Sequence, residues 1–119
     1  MAKSRSETAA VVACYVQSLS KQAIAVDRVY LFGSQLEGTA GELSDIDVIV
    51  VSSDFAGKQP WERAEITGKA RFETFQATGE SVEGLAKTPD EIAGRHPASF
   101  LSDVLQQAQI IYERAPAKT

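Results

Sequence analysis

Apolar positions along the chain fall in blocks that switch between helical and strand spacing. Ala9, Val12, Ala13, Val16 and Leu19 recur every three or four residues, which predicts a helix over Ser6 to about Gln22 with Ser6 as its N-cap. Val29-Tyr30-Leu31-Phe32 is a short apolar run stopped by Gly33, which suits a buried strand. Gln35 to Glu42 is glycine-rich and polar, and predicts one helical turn followed by a loop. Ile46 to Val51 is mostly β-branched, as a central strand is. After a loop over Asp54 to Pro60, helical spacing returns from Trp61 to about Gln76, with Trp61, Ala64, Ile66, Ala70, Phe72 and Phe75 available for packing. Val82 to Lys87 reads as a third strand. Thr88-Pro89-Asp90-Glu91 starts a further helix, with Thr88 as cap and Pro89 in the first helical position. Phe100 to Gln107 predicts a short helix and Gln109 to Tyr112 a brief edge strand. Strands alternate with helices, so the class is α/β or α+β around a small mixed sheet. The expected organisation is one domain over residues 1–119, with a core of about 8–112 and a polar tail at 113–119.

Composition narrows the partners. At 119 residues, with 44% hydrophobic and 24% charged residues, the chain has the make-up of an ordinary globular domain. Its net charge of −4 gives no global attraction to nucleic acid or to an anionic membrane. No apolar stretch approaches the roughly 18 residues of a membrane span, and no signal-peptide pattern opens the sequence, so the expected location is cytoplasmic. Cys14 is the single cysteine, which removes an internal disulfide and a cysteine-rich zinc site; its apolar surroundings predict a packed thiol. His96, beside Pro97 and without acidic neighbours, reads as a surface or structural residue.

The chemistry concentrates in two short segments. Gly33-Ser34 forms a turn at the end of the first strand, and Asp45 and Asp47 open the second, with ten residues separating Ser34 from Asp45. Side chains two apart in a strand project from the same side, so the two carboxylates repel unless a cation lies between them. A hard divalent cation is the fitting occupant. Gly33 lets the backbone approach a phosphate closely, and Ser34 adds a hydroxyl. The combination reads as a metal–nucleotide site. A third carboxylate from a neighbouring strand would complete it, and Glu83 in the third strand is the first choice, with Glu80 as the fallback.

These segments, Leu31-Phe32-Gly33-Ser34 and Ser44-Asp45-Ile46-Asp47-Val48-Ile49-Val50, resemble the minimal nucleotidyltransferases of the DNA polymerase β superfamily. The order of elements from about Thr8 to Tyr112 is similar too. The resemblance implies a nucleotidyltransferase fold, a small mixed sheet backed by helices on one side. It implies Mg²⁺-dependent transfer of AMP from ATP to a hydroxyl, with Gly33 and Ser34 on the triphosphate, Asp45 and Asp47 on metal and Glu83 as the third acid. It also implies an antitoxin-like role toward a small helical HEPN-like toxin, which would be the acceptor. Two other readings stay open: a regulatory subunit that acts by contact alone, and an enzyme modifying a small molecule of the aminoglycoside type. An acceptor pocket would have to come from a protein partner or from a homo-oligomer. One departure from the family pattern is that Gln35-Leu36-Glu37 follows the Gly-Ser pair, and no Lys or Arg occurs between Ser34 and Asp45. Phosphate charge would then fall to the metals and to a distant residue such as Lys87 or Lys58.

Overall fold

In the computed structural model, residues 4–33 and 45–114 are described. They form α1 (Arg5–Lys21), β1 (Arg28–Phe32), β2 (Ile46–Val51), a single 3-10 turn (Ser53–Phe55), α2 (Pro60–Thr78), β3 (Val82–Lys87), α3 (Pro89–Ala93), α4 (Phe100–Gln107) and β4 (Gln109–Glu113). The predicted turn at Gln35 to Glu42 lies outside the described residues.

Local chemistry sets the boundaries. The cap of α1 is Ser4 rather than Ser6, because only Ser4 has an acid three residues on: Ser4 Oγ accepts from the Glu7 N–H at 3.1 Å, and Glu7 Oε1 accepts from the Ser4 N–H at 3.4 Å. Gln59 caps α2 with Pro60 in its first turn, and Gly79, at φ 77°, ends it in the left-handed conformation. Thr88 caps α3 through a reciprocal pair with Glu91, at 3.1 and 2.8 Å. β4 runs one residue beyond the expected Tyr112, because Arg28 pairs with Glu113.

The four strands lie in the order β3-β2-β1-β4. β1 is antiparallel to both β2 and β4, whereas β2 and β3 run parallel, so the sheet is mixed. Alternate residues Val29, Leu31, Ile46, Val48, Val50, Val82 and Ala86 form the buried side, packed with Val12, Tyr15, Val16 and Leu19 of α1. α1 and α2 lie against each other and back this face, tied by the Ser18 hydroxyl, which donates to Glu73.

The expectation for α2 is partly overturned. Ala70 and Thr74 are fully buried and Ile66 packs on the core, but Trp61, Phe72 and Phe75 face outward. The small Ala70 and Thr74 set the inward side, and the aromatic residues lie on the opposite side of the helix. Cys14 is only half-buried. Among the described residues, no helix is long and apolar enough to cross a membrane.

Candidate active site

Strand register assembles the site. Phe32, the last residue of β1, is paired with Asp47 of β2, and Asp47 is in turn beside Glu83 of β3. Two residues far apart in sequence are therefore neighbours on one side of the parallel pair. Gly33 leaves β1 at φ 79°, and a Cβ there would lie 2.7 Å from Asp47 Oδ2. No larger residue fits without moving the carboxylate, so the turn and the acid are in direct contact. Ser34 lies outside the described residues.

Asp45 stands one step before β2, on the same side as Asp47. It accepts a hydrogen bond from Arg71 at 3.1 Å, and Arg71 Nε donates to Ser81 Oγ at 2.7 Å. Arg71 follows the buried Ala70 on α2, so the residue that seats the helix also fixes the guanidinium at the starts of β2 and β3. Among the described residues, Arg71 is thus the cation that faces Asp45 and acts on Asp47. The balance shows in Asp47, whose carboxyl is held above the usual range by burial first, then by the charges of Glu83 and Asp45, with Arg71 opposing. A divalent cation would relieve that excess of negative charge, and carboxylate oxygens are the donors Mg²⁺ prefers. Among the described residues, no group of three acidic, His or Cys side chains already closes around one point. Asp45 is engaged with Arg71 and Glu83 is exposed.

Lys58 and Lys87 do not serve this end of the sheet. Both line a cleft of about 380 Å³ between the edge strand β3 and the first turns of α2, with Arg63, Thr67 and Glu91. Lys87 ends β3, four residues beyond Glu83 or about 13 Å along the strand. Arg71 is the cation at the acids, and no local pattern singled it out: its role depends on how α2 packs. Glu80 precedes β3, where its N–H donates to Thr78 Oγ1 at 3.1 Å, and it is not register-paired with either aspartate. His96 is exposed and its Nδ1 accepts from the Ala98 N–H at 3.0 Å, a turn contact in line with expectation.

Behind the site, Tyr15 is completely buried against Gly84, the neighbour of Glu83. Its hydroxyl finds no hydrogen-bond partner among the described residues. Burial pushes its ionisation far up, with the charge of Arg71 pulling the other way.

A family model described as a nucleotidyltransferase domain matches residues 13–112. Solved structures of similar fold include a toxin–antitoxin with AMP-PNP, 21% identical over 84% of this chain and 72% of that one, with a TM-score of 0.54. A candidate nucleotidyltransferase from Sulfolobus solfataricus is 16% identical over 96% of this chain and 93% of its own, with a TM-score of 0.56. A doubly substituted variant of the toxin–antitoxin MntA-HpeT is 18% identical over 83% of this chain and 70% of that one, with a TM-score of 0.54. At these identities the likeness is one of fold. A comparison with curated sequences finds no significant match.

Proposed function

The chain belongs to the nucleotidyltransferase domain family, and we propose that it transfers AMP from ATP, with Mg²⁺, to a hydroxyl group on a partner protein. The observation that carries this reading is the contact between Gly33 and Asp47, with Asp47 beside Glu83. A turn free of side chain lies against one carboxylate with a second beside it in register, as phosphate binding next to charge neutralisation requires.

In this reading Gly33 and Ser34 hold the triphosphate, the positive-φ turn letting backbone N–H groups approach the anion. Mg²⁺ held by Asp45 and Asp47 would neutralise the charge that develops as pyrophosphate leaves. Glu83 takes the proton of the acceptor hydroxyl as its oxygen bonds to the α-phosphorus. Arg71 neutralises Asp45 until a cation does. The choice of adenine nucleotide and of a protein acceptor, a small helical HEPN-like toxin, is supported by the similarly folded toxin–antitoxins, one of them solved with AMP-PNP.

The test is transfer of label from [α-³²P]ATP to such a partner in the presence of Mg²⁺. The Asp45→Asn/Asp47→Asn double variant is expected to lower transfer by about 1,000-fold or more. Absence of Mg²⁺-dependent ATP binding by calorimetry at millimolar nucleotide would overturn the reading.

A further inference from the structure

Trp61, Phe72 and Phe75 are 63%, 61% and 54% exposed, although all three are large and apolar. Their spacing puts them on one line. Trp61, Gly68 and Phe75 are seven residues apart, so on a straight helix each lies within about 20° of the next, and Phe72 flanks the same line. The line runs opposite the buried Ala70 and Thr74. Gly68 stands at its midpoint, exposed, with no atom within 4 Å of where a Cβ would be. A glycine inside a helix costs about 1 kcal/mol relative to alanine, and nothing among the described residues requires one there. An outside surface that approaches α2 closely would.

We propose that this face of α2 is a self-association surface, on which a second copy of the chain packs its own α2 antiparallel about a two-fold axis through Gly68. The pattern is self-complementary, as a two-fold contact demands. Inverting the helix about Gly68 brings Trp61 to the height of Phe75 in the other copy, and Phe75 to the height of its Trp61. Phe72 comes opposite Ala64, where the small side chain leaves room. On one flank, Glu65 comes within about 3 Å, along the axis, of Lys69 from the other copy. The two Lys69 residues come equally close along the axis, each with the other copy's Glu65 on its far side, and the paired glycines let the backbones cross closely. A different protein would need none of this symmetry.

The area sets the strength. At these exposures the three rings present roughly 350 Å² per copy, or roughly 700 Å² for the pair before flanking residues are added. That is below the roughly 1,200 Å² at which stable specific interfaces begin, so the contact is weak and the dimer dissociates on the order of 10–100 µM.

Trp61 is the only tryptophan, so its emission reports on the contact directly. Sedimentation and fluorescence of the full chain across that range should show dimer formation with a blue shift of Trp61. Phe72→Glu should be monomeric throughout. Gly68→Gln should raise the Tm of the dilute monomer by about 3 °C, through helix propensity, while weakening dimerisation at least tenfold. Orientation is read in a Cys14→Ser background: Gly68→Cys should cross-link to itself, and Trp61→Cys only when mixed with Phe75→Cys. A wild-type chain that stays monomeric to about 500 µM overturns the proposal, since the face would then serve another protein. So does a dimer that survives Phe72→Glu, and so does self-cross-linking of Trp61→Cys, which would mean a parallel pairing.

Discussion

Arg71 donates to Asp45 across 3.1 Å while its Nε is anchored on Ser81 at 2.7 Å, so the guanidinium holds one aspartate of the acid group. A metal at Asp45 must displace this partner. Both side chains are partly exposed, so the pair contributes only about 0.5 kcal/mol. Arg71→Gln should therefore tighten binding of Mg²⁺ alone by about two- to threefold. The same variant should weaken binding of the Mg²⁺–ATP complex by about tenfold if the released guanidinium turns to the phosphates. Calorimetric titrations with and without nucleotide separate the two effects, and parallel changes in both would show that Arg71 is only a structural strut.

Asp47 makes the metal-free site self-repulsive. Its carboxyl is raised above 3.8 in the fold, by burial first and then by Glu83 and Asp45. For an acid raised by folding, stability is fullest below the unfolded value and falls as pH climbs through the folded one. At neutral pH the ionised Asp47 is therefore a net liability. Asp47→Asn should stabilise the metal-free chain by about 0.5–1 kcal/mol at pH 7 and flatten the decline that sets in as pH rises above the usual carboxylate range. Mg²⁺ should raise the Tm of the wild type and leave that of the variant unchanged. Thermal denaturation across pH, with and without Mg²⁺, checks both.

Two glycines share a backbone conformation but not a neighbourhood, which isolates the contact between turn and acid. Gly33 has φ 79° and Gly57 has φ 77°; a Cβ on Gly57 would meet nothing within 4 Å, whereas one on Gly33 would meet Asp47. Alanine at either position costs about 1–2 kcal/mol of left-handed strain. Gly33→Ala should in addition lower AMP transfer by about 100-fold through displacement of the carboxylate. Gly57→Ala should lose stability alone. Equal activity losses at the two positions would remove Gly33 from the site.

Much of this was legible in the sequence, and the gaps have physical causes. The strand Val82 to Lys87, the cap at Thr88 and the helix from Phe100 to Gln107 were readable because caps, prolines and β-branched runs act locally. The choice of Glu83 over Glu80 followed from strand register, and the structure pairs Glu83 with Asp47. Arg71 was not legible, because it meets Asp45 only through the packing of α2. Trp61, Phe72 and Phe75, expected to be available for packing, face outward within the chain, because helical periodicity marks a common face without saying which way it points. Tyr15 carried no sign that it would be completely buried, since its hydroxyl argues for a wet position.

That hydroxyl leads to the last expectation. Tyr15 Oη lies where a Cβ on Gly84 would come within 2.2 Å, and it has no hydrogen-bond partner among the described residues. Gly84→Ala should thus destabilise the chain by about 2–3 kcal/mol, since both the strand and the ring are fixed by the core. Tyr15→Phe removes the obstructing oxygen together with an unsatisfied buried group, so alone it should be neutral or stabilising by up to about 1 kcal/mol. Combined with Gly84→Ala, it should recover part of the loss, since Cζ of the ring still lies 3.0 Å from such a Cβ; a double-mutant cycle in urea measures this coupling directly. The pH dependence runs the same way. Because burial raises the Tyr15 ionisation above 10.0, its contribution is intact below that pH and is lost as pH rises beyond it. Tyr15→Phe should therefore extend stability into alkaline solution; additive losses in the double variant, or unchanged alkaline unfolding, would mean that the hydroxyl does not set the space behind β3.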